Sequence, residues 1–420
     1  MNDAPTAPTE PRPPAGAVAG PLNGLRVLEF GHFIAAPFAA RLLADLGTEI
    51  VKIEPPVSGD PARGWGVAVE GKSLWWSVQA RNKKCVTLDL KHPRGRELAL
   101  RLIAKSDAVL ENFRPGQLDR WGLGGDRLRA VNPRCILIHI SGFGQTGPYR
   151  DRVAFGVIGE AVGGIRYLTA HPKEVSQLPP IRTGVSLADS VAAIYAVVGL
   201  LAALYRRDAG SGSAGCEVDV ALYEAIFSLL EGCLTEYGRL GSIREPTGAT
   251  LPTTAPTNTY LCGDGAWICI AGNSDRIFSR LMTLIGHPEL AIDPRFTANH
   301  DRVVNAAELD RFIGAWTAEL SAREVEARLE RAEVPASRIY TIKDCAEDAH
   351  FRARGMIQTI MDPQFGELLH PGIVPQFHAH SGGCIGWPGP ALGAHNEQVY
   401  REIAGLDAAE IASLRQEGVI

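Results

Sequence analysis

Short apolar runs and amphipathic stretches take turns along the first half of the chain. The run Arg26–Phe30 is short and apolar, which predicts a strand, and the helical pattern of Phe38–Leu46 stops at Gly47. Polar and apolar residues alternate over Glu49–Glu54, which predicts a second strand. A strand, a helix and a further strand joined by short loops form the unit from which parallel sheets are built.

The same order continues downstream. Strands are predicted at 85–88, 108–111 and 135–141, and helices at 93–104, 118–121 and 125–131. We therefore expect an α/β fold with an open, doubly wound and mostly parallel sheet over residues 21–205. The stretch Leu187–Tyr205 ends this region with a helical pattern that is apolar nearly all round, which predicts a buried helix.

The rest of the chain divides by composition. Residues 206–256 include a Gly/Ser stretch and a Pro- and Thr-rich stretch, so we predict a linker, interrupted by a strand that leads into a helix over 217–231. Residues 257–344 contain a hairpin signal at Gly263–Gly265 followed by three amphipathic helices, which predicts a small α+β domain. Turn-rich β-structure over 357–393 and two helices complete the predicted elements.

Charge and cysteine usage exclude several classes of function. The 420 residues carry a net charge of −5, so the chain has no basic excess with which to bind nucleic acid. Its eight cysteines form no CxxC pair, and no histidine spacing is typical of a metal site. We therefore predict no metal, no permanently bound cofactor and no disulfide scaffold, and we expect reduced thiols in a cytoplasmic protein.

The amino-terminal segment and the apolar runs bear on targeting. Residues 1–20 are rich in Pro, Ala and Thr and lack the apolar core of a signal peptide, which predicts a disordered tail. The apolar run nearest to a membrane span is Val191–Tyr205, which is shorter than a span needs. We therefore expect a soluble protein without a membrane partner.

An acidic residue, Asp189, lies where the predicted apolar helix begins. Asp is common in the first turn of a helix, because its carboxylate accepts from unpaired N–H groups and suits the helix dipole. The same carboxylate can instead be a nucleophile that attacks a thioester carbonyl and forms a mixed anhydride. The residue type and its position alone leave both interpretations open.

Two further regions have the residue types that bind a phosphorylated ligand. The loop Gly31–Pro37 joins the first predicted strand to the first helix, which is where doubly wound folds bind ligands, but it lacks the GxGxxG spacing. Basic residues also cluster between 60 and 120, interleaved with acidic ones, so the cluster is either a phosphate site or a solvated surface of mixed charge. The cluster comprises Arg63, Arg81, Lys83, Lys84, Lys91, Arg114 and Arg120.

Several short motifs, taken in order, resemble the class III CoA-transferases, the CaiB/BaiF family. The resemblance spans residues 21 to about 400, and its motifs are Pro21–Phe30, Asp45–Glu54, Gly59–Arg63, Asn82-Lys83, Leu88–Lys91, Glu111–Gly116, Ser141–Pro148 and Val218–Leu222. It implies a large Rossmann-like domain from residues 21–205 and 345–420 and a small domain from 257–344 with its return linker. It also implies an interlaced homodimer.

The family's functional residues fall on positions of this chain. Its nucleophilic aspartate falls on Asp189. Its contacts to coenzyme A, which is a substrate, fall on His32, Ala35, Asn82, Leu88, Lys91, Asn112 and Arg120. Two positions depart from the pattern, because Pro55 stands where some members have Arg and Ile34 where some have Gln.

Two alternatives to transferase activity follow from the same resemblance. An α-methylacyl-CoA racemase needs a second proton-transfer group, a His that aligns with Phe155, and phenylalanine cannot exchange protons. Many transferases have an acidic residue where this chain has Gly156, and Glu160 is a candidate substitute. The second alternative is a CoA-binding dimer without catalysis.

The segments Thr250–Tyr260 and Ala271–Phe278 resemble the branch that uses succinyl-CoA with C4–C6 dicarboxylates such as malate, itaconate or glutarate. A second carboxylate on the acceptor would need a basic partner, for which Arg182 and Arg244 are candidates by residue type. The resemblance therefore implies transfer of CoA from an acyl-CoA, such as succinyl-CoA, to a free carboxylic acid.

Overall fold

A computed structural model describes residues 20–210, 214–378 and 381–420. Apart from Gly20, the predicted tail at 1–20 lies outside the described residues. The described part of the chain divides into two compact units. The large unit comprises residues 20–165, 183–232 and 353–420, and the small unit comprises 166–182 and 233–352.

The strands are short, as the apolar runs predict. In the described residues they are β1 (Arg26–Glu29), β2 (Glu49–Glu54), β3 (Ala68–Val69), β4 (Lys72–Ser73), β5 (Lys83–Thr87), β6 (Ala108–Glu111), β7 (Ile136–Ser141), β8 (Glu217–Ala221), β9 (Thr257–Leu261), β10 (Trp267–Ala271), β11 (Ala336–Arg338), β12 (Ile357–Asp362) and β13 (Gly366–Pro371).

Helices follow most strands. In the same described ranges they are α1 (Ala35–Asp45), α2 (Leu74–Gln79), α3 (Pro93–Ile103), α4 (Gln117–Arg120), α5 (Gly125–Val131), α6 (Gly156–Val162), α7 (Ile165–Leu168), α8 (Leu187–Ala209), α9 (Leu222–Phe227), α10 (Cys233–Leu240), α11 (Asp275–Leu284), α12 (Asn299–Val304), α13 (Ala306–Ala318), α14 (Ala322–Arg331), α15 (Ile342–Glu347), α16 (Ala349–Ala353), α17 (Asn396–Glu402) and α18 (Ala408–Gln416).

The large unit is built on a six-stranded sheet in the order β5-β2-β1-β6-β7-β8, with every pair parallel. The predicted α/β fold is therefore confirmed. From β1 the chain first adds strands on one side and then on the other, so the order reverses between β1 and β6. In doubly wound sheets such a reversal opens a crevice at the carboxyl ends of the strands, where ligands bind.

The strand and helix predicted over 217–231 are present, but they belong to the large unit and not to a linker over 206–256. They are the edge strand β8, which pairs with β7, and the helix α9. The composition of the flanking segments is typical of loops, but β8 itself alternates apolar and polar residues and completes the sheet. The large unit therefore extends beyond residue 205.

Helices cover both faces of this sheet. Alternate strand residues such as Val27, Ile50 and Ile138 pack with α1 and α8 in one apolar cluster. The opposite face packs with α3, α17 and α18 in a second cluster. Burial on both faces explains why the middle positions of β1, β6 and β7 are mostly apolar, with polar residues such as Glu29, Glu111 and Ser141 at the strand ends.

Helix α8 is longer than predicted and is not buried all round. Alanines on one face are buried against α1, whereas Ile194, Val198 and Tyr205 on another face are 50%, 55% and 76% exposed. The prediction of a fully buried helix is therefore wrong for the single chain. Within the described ranges, α8 is also the helix that is long and apolar enough to cross a membrane by length and composition alone.

The small unit has its own core. Strands β9 and β10 form the predicted hairpin, β11 pairs antiparallel with β10, and α11, α13 and α14 pack on this sheet. Arg302 is fully buried there and donates to the carbonyls of Ala255, Phe296 and Asn273. An apolar cluster with a saturated buried guanidinium makes this unit compact by itself.

Candidate active site

The carboxyl ends of β1 and β6 place two loops side by side at the point where the strand order reverses. Asn112, directly after β6, accepts from the backbone N–H of His32 at 2.8 Å and donates to the His32 carbonyl at 2.9 Å. One side chain thus forms both hydrogen bonds that a neighbouring strand would form. The loop after β1 is therefore tied across the crevice.

The turn Gly31–Phe33, in this loop, has an unusual backbone conformation and packs closely against neighbouring residues. Phe33 has a φ of +62°, in the left-handed region that bulky residues avoid. A Cβ on Gly31 would lie 2.4 Å from Ala36 Cβ and 2.9 Å from Asn112 Oδ1, so this position requires glycine. The turn delivers the chain directly into α1, whose first residue is Ala35.

The His32 ring is mostly buried and packs edge-on against Phe113, with ring centroids 5.3 Å apart. Burial lowers the pKa of His32, and the positive charge of Lys52 lowers it further. Its Nδ1 atom is buried without a hydrogen-bond partner in the structure. The imidazole is therefore neutral near pH 7.

A buried ion cluster lies beneath this turn, on the face of the sheet that packs against α1 and α8. Lys52 lies 2.7 Å from Glu29 and 2.7 Å from Asp60, and Lys83 lies 2.8 Å from Glu29. All four side chains are almost fully buried. Burial lowers the pKa of Lys52, but the carboxylates around it outweigh burial and raise the pKa, so the ammonium stays charged.

Helix α8 carries Asp189 to the same edge of the sheet. Arg207, near its last turn, pairs with Asp107, which precedes β6 at the amino edge of the sheet. The helix has 23 residues and spans about 34 Å, so its first turn lies beyond the opposite, carboxyl edge. Asp189 lies in that first turn, and the preceding Ser186 makes no side-chain cap hydrogen bond.

The Asp189 carboxylate lies against Gly156, the first residue of α6. A Cβ built on Gly156 would be only 2.1 Å from Asp189 Oδ2 and 3.0 Å from its Cγ. The acidic side chain therefore occupies the volume that any other residue at 156 would fill. Asp189 is partly exposed, so its carboxylate is not sealed inside the helix end.

Two glycines of the α6 region explain how this helix comes so close to α8 and α9. A Cβ on Gly159 would lie 2.8 Å from Leu222 Cβ and 3.2 Å from Ala188 Cβ. A Cβ on Gly163 would meet Ile226 at 2.6 Å. The glycines at 156, 159 and 163 thus permit the backbone contact that places α6 beside Asp189. Glu160 on the same helix is 1% exposed, so it faces the interior rather than a solvent-accessible site.

The predicted CoA contacts fall into two groups. His32, Ala35, Leu88, Lys91, Asn112 and Arg120 all follow the carboxyl ends of strands or lie on the helices after them. Lys91 and Arg120 are exposed, and Leu88 is buried but has its backbone in the loop after β5. The topology therefore brings these positions to one edge.

Asn82 does not belong with them. It precedes β5, at the amino edge of the sheet, and is 3% exposed. Its side chain donates to Asp45 and to the Cys384 carbonyl and accepts from Gly386 N–H. All of its hydrogen-bonding groups serve the fold, so its side chain is not available to a ligand.

The basic cluster predicted between residues 60 and 120 also separates in space. Arg63 pairs with Glu54 through two nitrogens, Arg81 pairs with Asp45, and Lys83 is in the buried ion cluster. These three are neither a phosphate site nor a solvated surface. Lys91, Arg114 and Arg120 remain as exposed cations at the carboxyl edge.

The position that a racemase would need for its second proton-transfer group holds Phe155. This residue occupies the N-cap position of α6, directly before the glycine that meets Asp189, and is 64% exposed.

Arg244, a candidate for the acceptor carboxylate, pairs with Glu236 in the small unit. In the part of the chain that the structure describes, no group of three His, Cys, Asp or Glu side chains is placed to hold a metal ion.

Comparisons with known proteins agree on one family. The sequence profile of CoA-transferase family III matches residues 22–396. The chain is 48% identical to a succinyl-CoA–D-citramalate CoA-transferase of Chloroflexus aurantiacus, over 95% of this chain and 98% of that protein. It is 38% identical to the β subunit of a succinyl-CoA–L-malate CoA-transferase of the same organism, over 95% and 98%.

The fold has a solved counterpart. A CaiB/BaiF family protein of Brucella suis superposes with a TM-score of 0.79 and 34% sequence identity, covering 91% of this chain and 99% of the other. The match extends across both units of the chain. Sequence and structure therefore point to the same family.

Proposed function

The chain belongs to CoA-transferase family III and is a CoA-transferase, and from this premise we propose that it moves CoA from succinyl-CoA to a C4–C6 dicarboxylic acid, with Asp189 as the nucleophile. The observation that carries the proposal is the partly exposed Asp189 carboxylate against Gly156, at the ligand-binding edge of the sheet. The named relatives act with succinyl-CoA on citramalate and malate, which supports a dicarboxylate acceptor.

The proposed reaction begins when an Asp189 oxygen attacks the carbonyl carbon of the thioester. The C–S bond breaks, CoA leaves as a thiolate, and a mixed anhydride between the donor acid and Asp189 remains. The thiolate then attacks the Asp189 carbonyl carbon of that anhydride. The donor carboxylate leaves, and Asp189 becomes a CoA thioester.

The second half repeats these steps in reverse with the acceptor. The acceptor carboxylate attacks the aspartyl thioester, CoA leaves again as a thiolate, and a second mixed anhydride forms. The thiolate attacks the acceptor's acyl carbon, which gives the new thioester and restores the Asp189 carboxylate. No step consumes a proton or an electron, so a phenylalanine at 155 and a neutral His32 are compatible with the chemistry.

The exposed cations at the carboxyl edge suit the phosphates of CoA. Lys91, Arg114 and Arg120 lie on the loops and helix after β5 and β6, close in the topology to the neutral His32. Arg and Lys are the side chains that bind phosphate, and the net charge of −5 would not attract an anion from a distance. CoA binding here therefore depends on local cations.

Trapping of the covalent intermediate tests the proposal. Wild-type protein is incubated with succinyl-CoA, treated with hydroxylamine and digested with trypsin, and the peptide 183–206 is examined by mass spectrometry. Asp189 is the only acidic residue in that peptide, so a hydroxamate there identifies the nucleophile. We expect the adduct in the wild type and its loss in Asp189→Asn.

Asp151→Asn is the matched control, because Asp151 lies in the loop after β7 and its side chain is 84% exposed. This variant should keep both the adduct and CoA transfer to malate or citramalate. Transfer that persists in Asp189→Asn would contradict the role of Asp189. CoA binding without transfer to any of a panel of dicarboxylates would instead favour the non-catalytic alternative.

We also propose that two copies of the chain form the functional unit. The apolar residues on the outer face of α8 (Ile194, Val198, Leu201, Tyr205) are between 36% and 76% exposed, and Val157 and Val162 on α6 are similarly exposed. Contiguous exposed apolar surface of this kind marks interaction sites on soluble proteins. A second copy that covers these faces would also shield the region around Asp189 from water.

A further inference from the structure

The turn Gly31–Phe33 has its backbone held almost entirely by side chains from other segments. Lys52 donates to the Gly31 carbonyl at 2.9 Å, and Asp60 accepts from the Phe33 N–H at 3.1 Å. Asn112 hydrogen-bonds both the backbone N–H and the backbone carbonyl of His32. The turn lies outside every helix and strand. Its shape therefore depends on these three side chains and not on a hydrogen-bonded ladder.

Asp60 has both carboxylate oxygens committed. Its Oδ1 accepts from the N–H groups of Phe33 and Ala62, at 3.1 and 2.9 Å, while Oδ2 lies 2.7 Å from the Lys52 ammonium. The residue is 1% exposed, so it cannot contact a substrate itself. It acts on the site only through the backbone that it holds.

The charges around Asp60 are balanced within the buried cluster. Lys52 and Lys83 offset Glu29 and Asp60, and the Glu54–Arg63 pair adjoins them because Glu54 accepts from the Asp60 N–H. Buried ion pairs of this kind are poor sources of net stability, because desolvation cancels most of their attraction. Their geometry is nevertheless specific, since each charged group accepts few alternative arrangements.

The Lys52 ammonium has three acceptors around it, which matches its three N–H donors. One of these acceptors is the Gly31 carbonyl and another is Asp60. The Lys52–Asp60 ion pair therefore contacts both ends of the turn: Lys52 donates to the Gly31 carbonyl, and Asp60 accepts from the Phe33 N–H. The strained φ of Phe33 is kept in place by this pair of contacts.

We propose that Asp60, backed by Lys52, is a positioning residue that fixes the Gly31–Phe33 turn in the conformation that binds the CoA thioester. This inference rests on the proposed function, because it takes His32 and Ala35 as CoA contacts. Asp60 determines the affinity for CoA, whereas the covalent steps remain with Asp189. Loss of the Asp60 charge therefore weakens binding more than turnover.

The test compares Asp60→Asn with Asp362→Asn. An asparagine at 60 has one acceptor oxygen, so its NH₂ group must face either the Lys52 ammonium or the two backbone N–H groups. Asp362 is a matched control because it is also buried, at 4% exposure, and accepts from two backbone N–H groups and the Ser77 hydroxyl. It lies at the end of β12, in a hairpin that has none of the predicted CoA contacts.

Free CoA is titrated into each protein by calorimetry, and the kcat and KM for succinyl-CoA are measured with one dicarboxylate acceptor. We expect Asp60→Asn to weaken CoA binding about tenfold, as for one lost hydrogen bond to a charged group, with kcat within about threefold of wild type. Asp362→Asn should lower the melting temperature about as much as Asp60→Asn does, but it should leave CoA affinity unchanged. Equal CoA affinity in Asp60→Asn and wild type would overturn the proposal.

Hydrogen exchange on the wild type keeps the proposal testable if Asp60→Asn does not fold. The amides of His32 and Phe33 should be protected although they lie outside helices and strands, because one donates to the partly buried Asn112 and the other to the buried Asp60. Exchange at the rate of an open loop would contradict the proposal. Failure of wild type to bind CoA would instead refute the proposed function, so the two failures are distinguishable.

Discussion

Replacing Gly156 by alanine adds one methyl group at the point where the Asp189 carboxylate lies against α6. The new Cβ would be 2.1 Å from Oδ2, whereas ordinary contact begins at 3.4 Å, so the oxygen must retreat by about 1.3 Å. The obstructing atoms are the far end of a flexible side chain. The carboxylate can therefore move, and the backbone need not.

Gly156→Ala should have a small effect on the free energy of unfolding and a large effect on kcat. Alanine is a better helix former than glycine by up to about 1 kcal/mol, which offsets the cost of an altered Asp189 rotamer of about 1 kcal/mol. The free energy of unfolding should therefore change by less than about 1 kcal/mol. A nucleophile displaced by about 1 Å loses on the order of 100-fold in rate, so kcat should fall by about that factor.

The assay measures kcat for CoA transfer at saturating succinyl-CoA and the melting temperature of each protein. Gly184→Ala is the matched control, since a Cβ on Gly184 meets nothing within 4 Å and the residue lies five positions before Asp189. We expect this control to resemble wild type in both measurements. We expect Gly156→Ala to keep its melting temperature and its affinity for CoA.

A Gly156→Ala protein with wild-type kcat would refute this reasoning. It would mean that the position of the Asp189 carboxylate against α6 has no part in the rate. A Gly156→Ala protein that loses kcat together with its melting temperature would show that the methyl group disturbs packing, as it should at Gly159, where the neighbours are Leu222 and Ala188. Only loss of turnover in a stable protein supports the displaced nucleophile.

Two further predictions concern pH and assembly. Burial and the nearby Arg81 lower the pKa of His370 to about 4 from an ordinary 6.5, so the unfolded chain binds the proton more readily. His370 therefore does not lower the free energy of unfolding above pH 6.5, but it lowers that free energy by at most about 3 kcal/mol as the pH drops towards 4. Urea titrations at several pH values should show this loss in the wild type and not in His370→Gln. The wild type should sediment as a dimer, and Val198→Asp on the exposed face of α8 should shift it towards monomer; an unchanged dimer would exclude that face from the interface.

Much of the large unit was predictable from local pattern. The alternation of Glu49–Glu54, the glycine stop at Gly47 and the order of strands and helices specify a parallel α/β fold, because side-chain periodicity reports local backbone geometry. The placement of Asp189 in the first turn of an apolar helix was equally local. The family resemblance then implied CoA chemistry at this turn, which stays a prediction.

Other features depended on contacts between distant segments. The basic cluster that includes Lys83 was consistent with a phosphate site or a solvated surface, yet helices cover that face and the Lys83 side chain is buried in an ion pair. Asn82 lay within a family motif, but strand direction places it at the opposite edge of the sheet from the other predicted contacts. No local signal separates these cases, since periodicity does not specify which element covers a face.

By itself, the sequence determined the kinds of elements, their order and the residue types that the chemistry needs, because these follow from short-range sterics and side-chain character. Only the tertiary structure decided that Asp189 rests on Gly156 and that Asp60 and Asn112 hold the turn before α1. These contacts join segments between 27 and 80 residues apart. Their geometry is set by strand order and helix packing, which are properties of the whole chain.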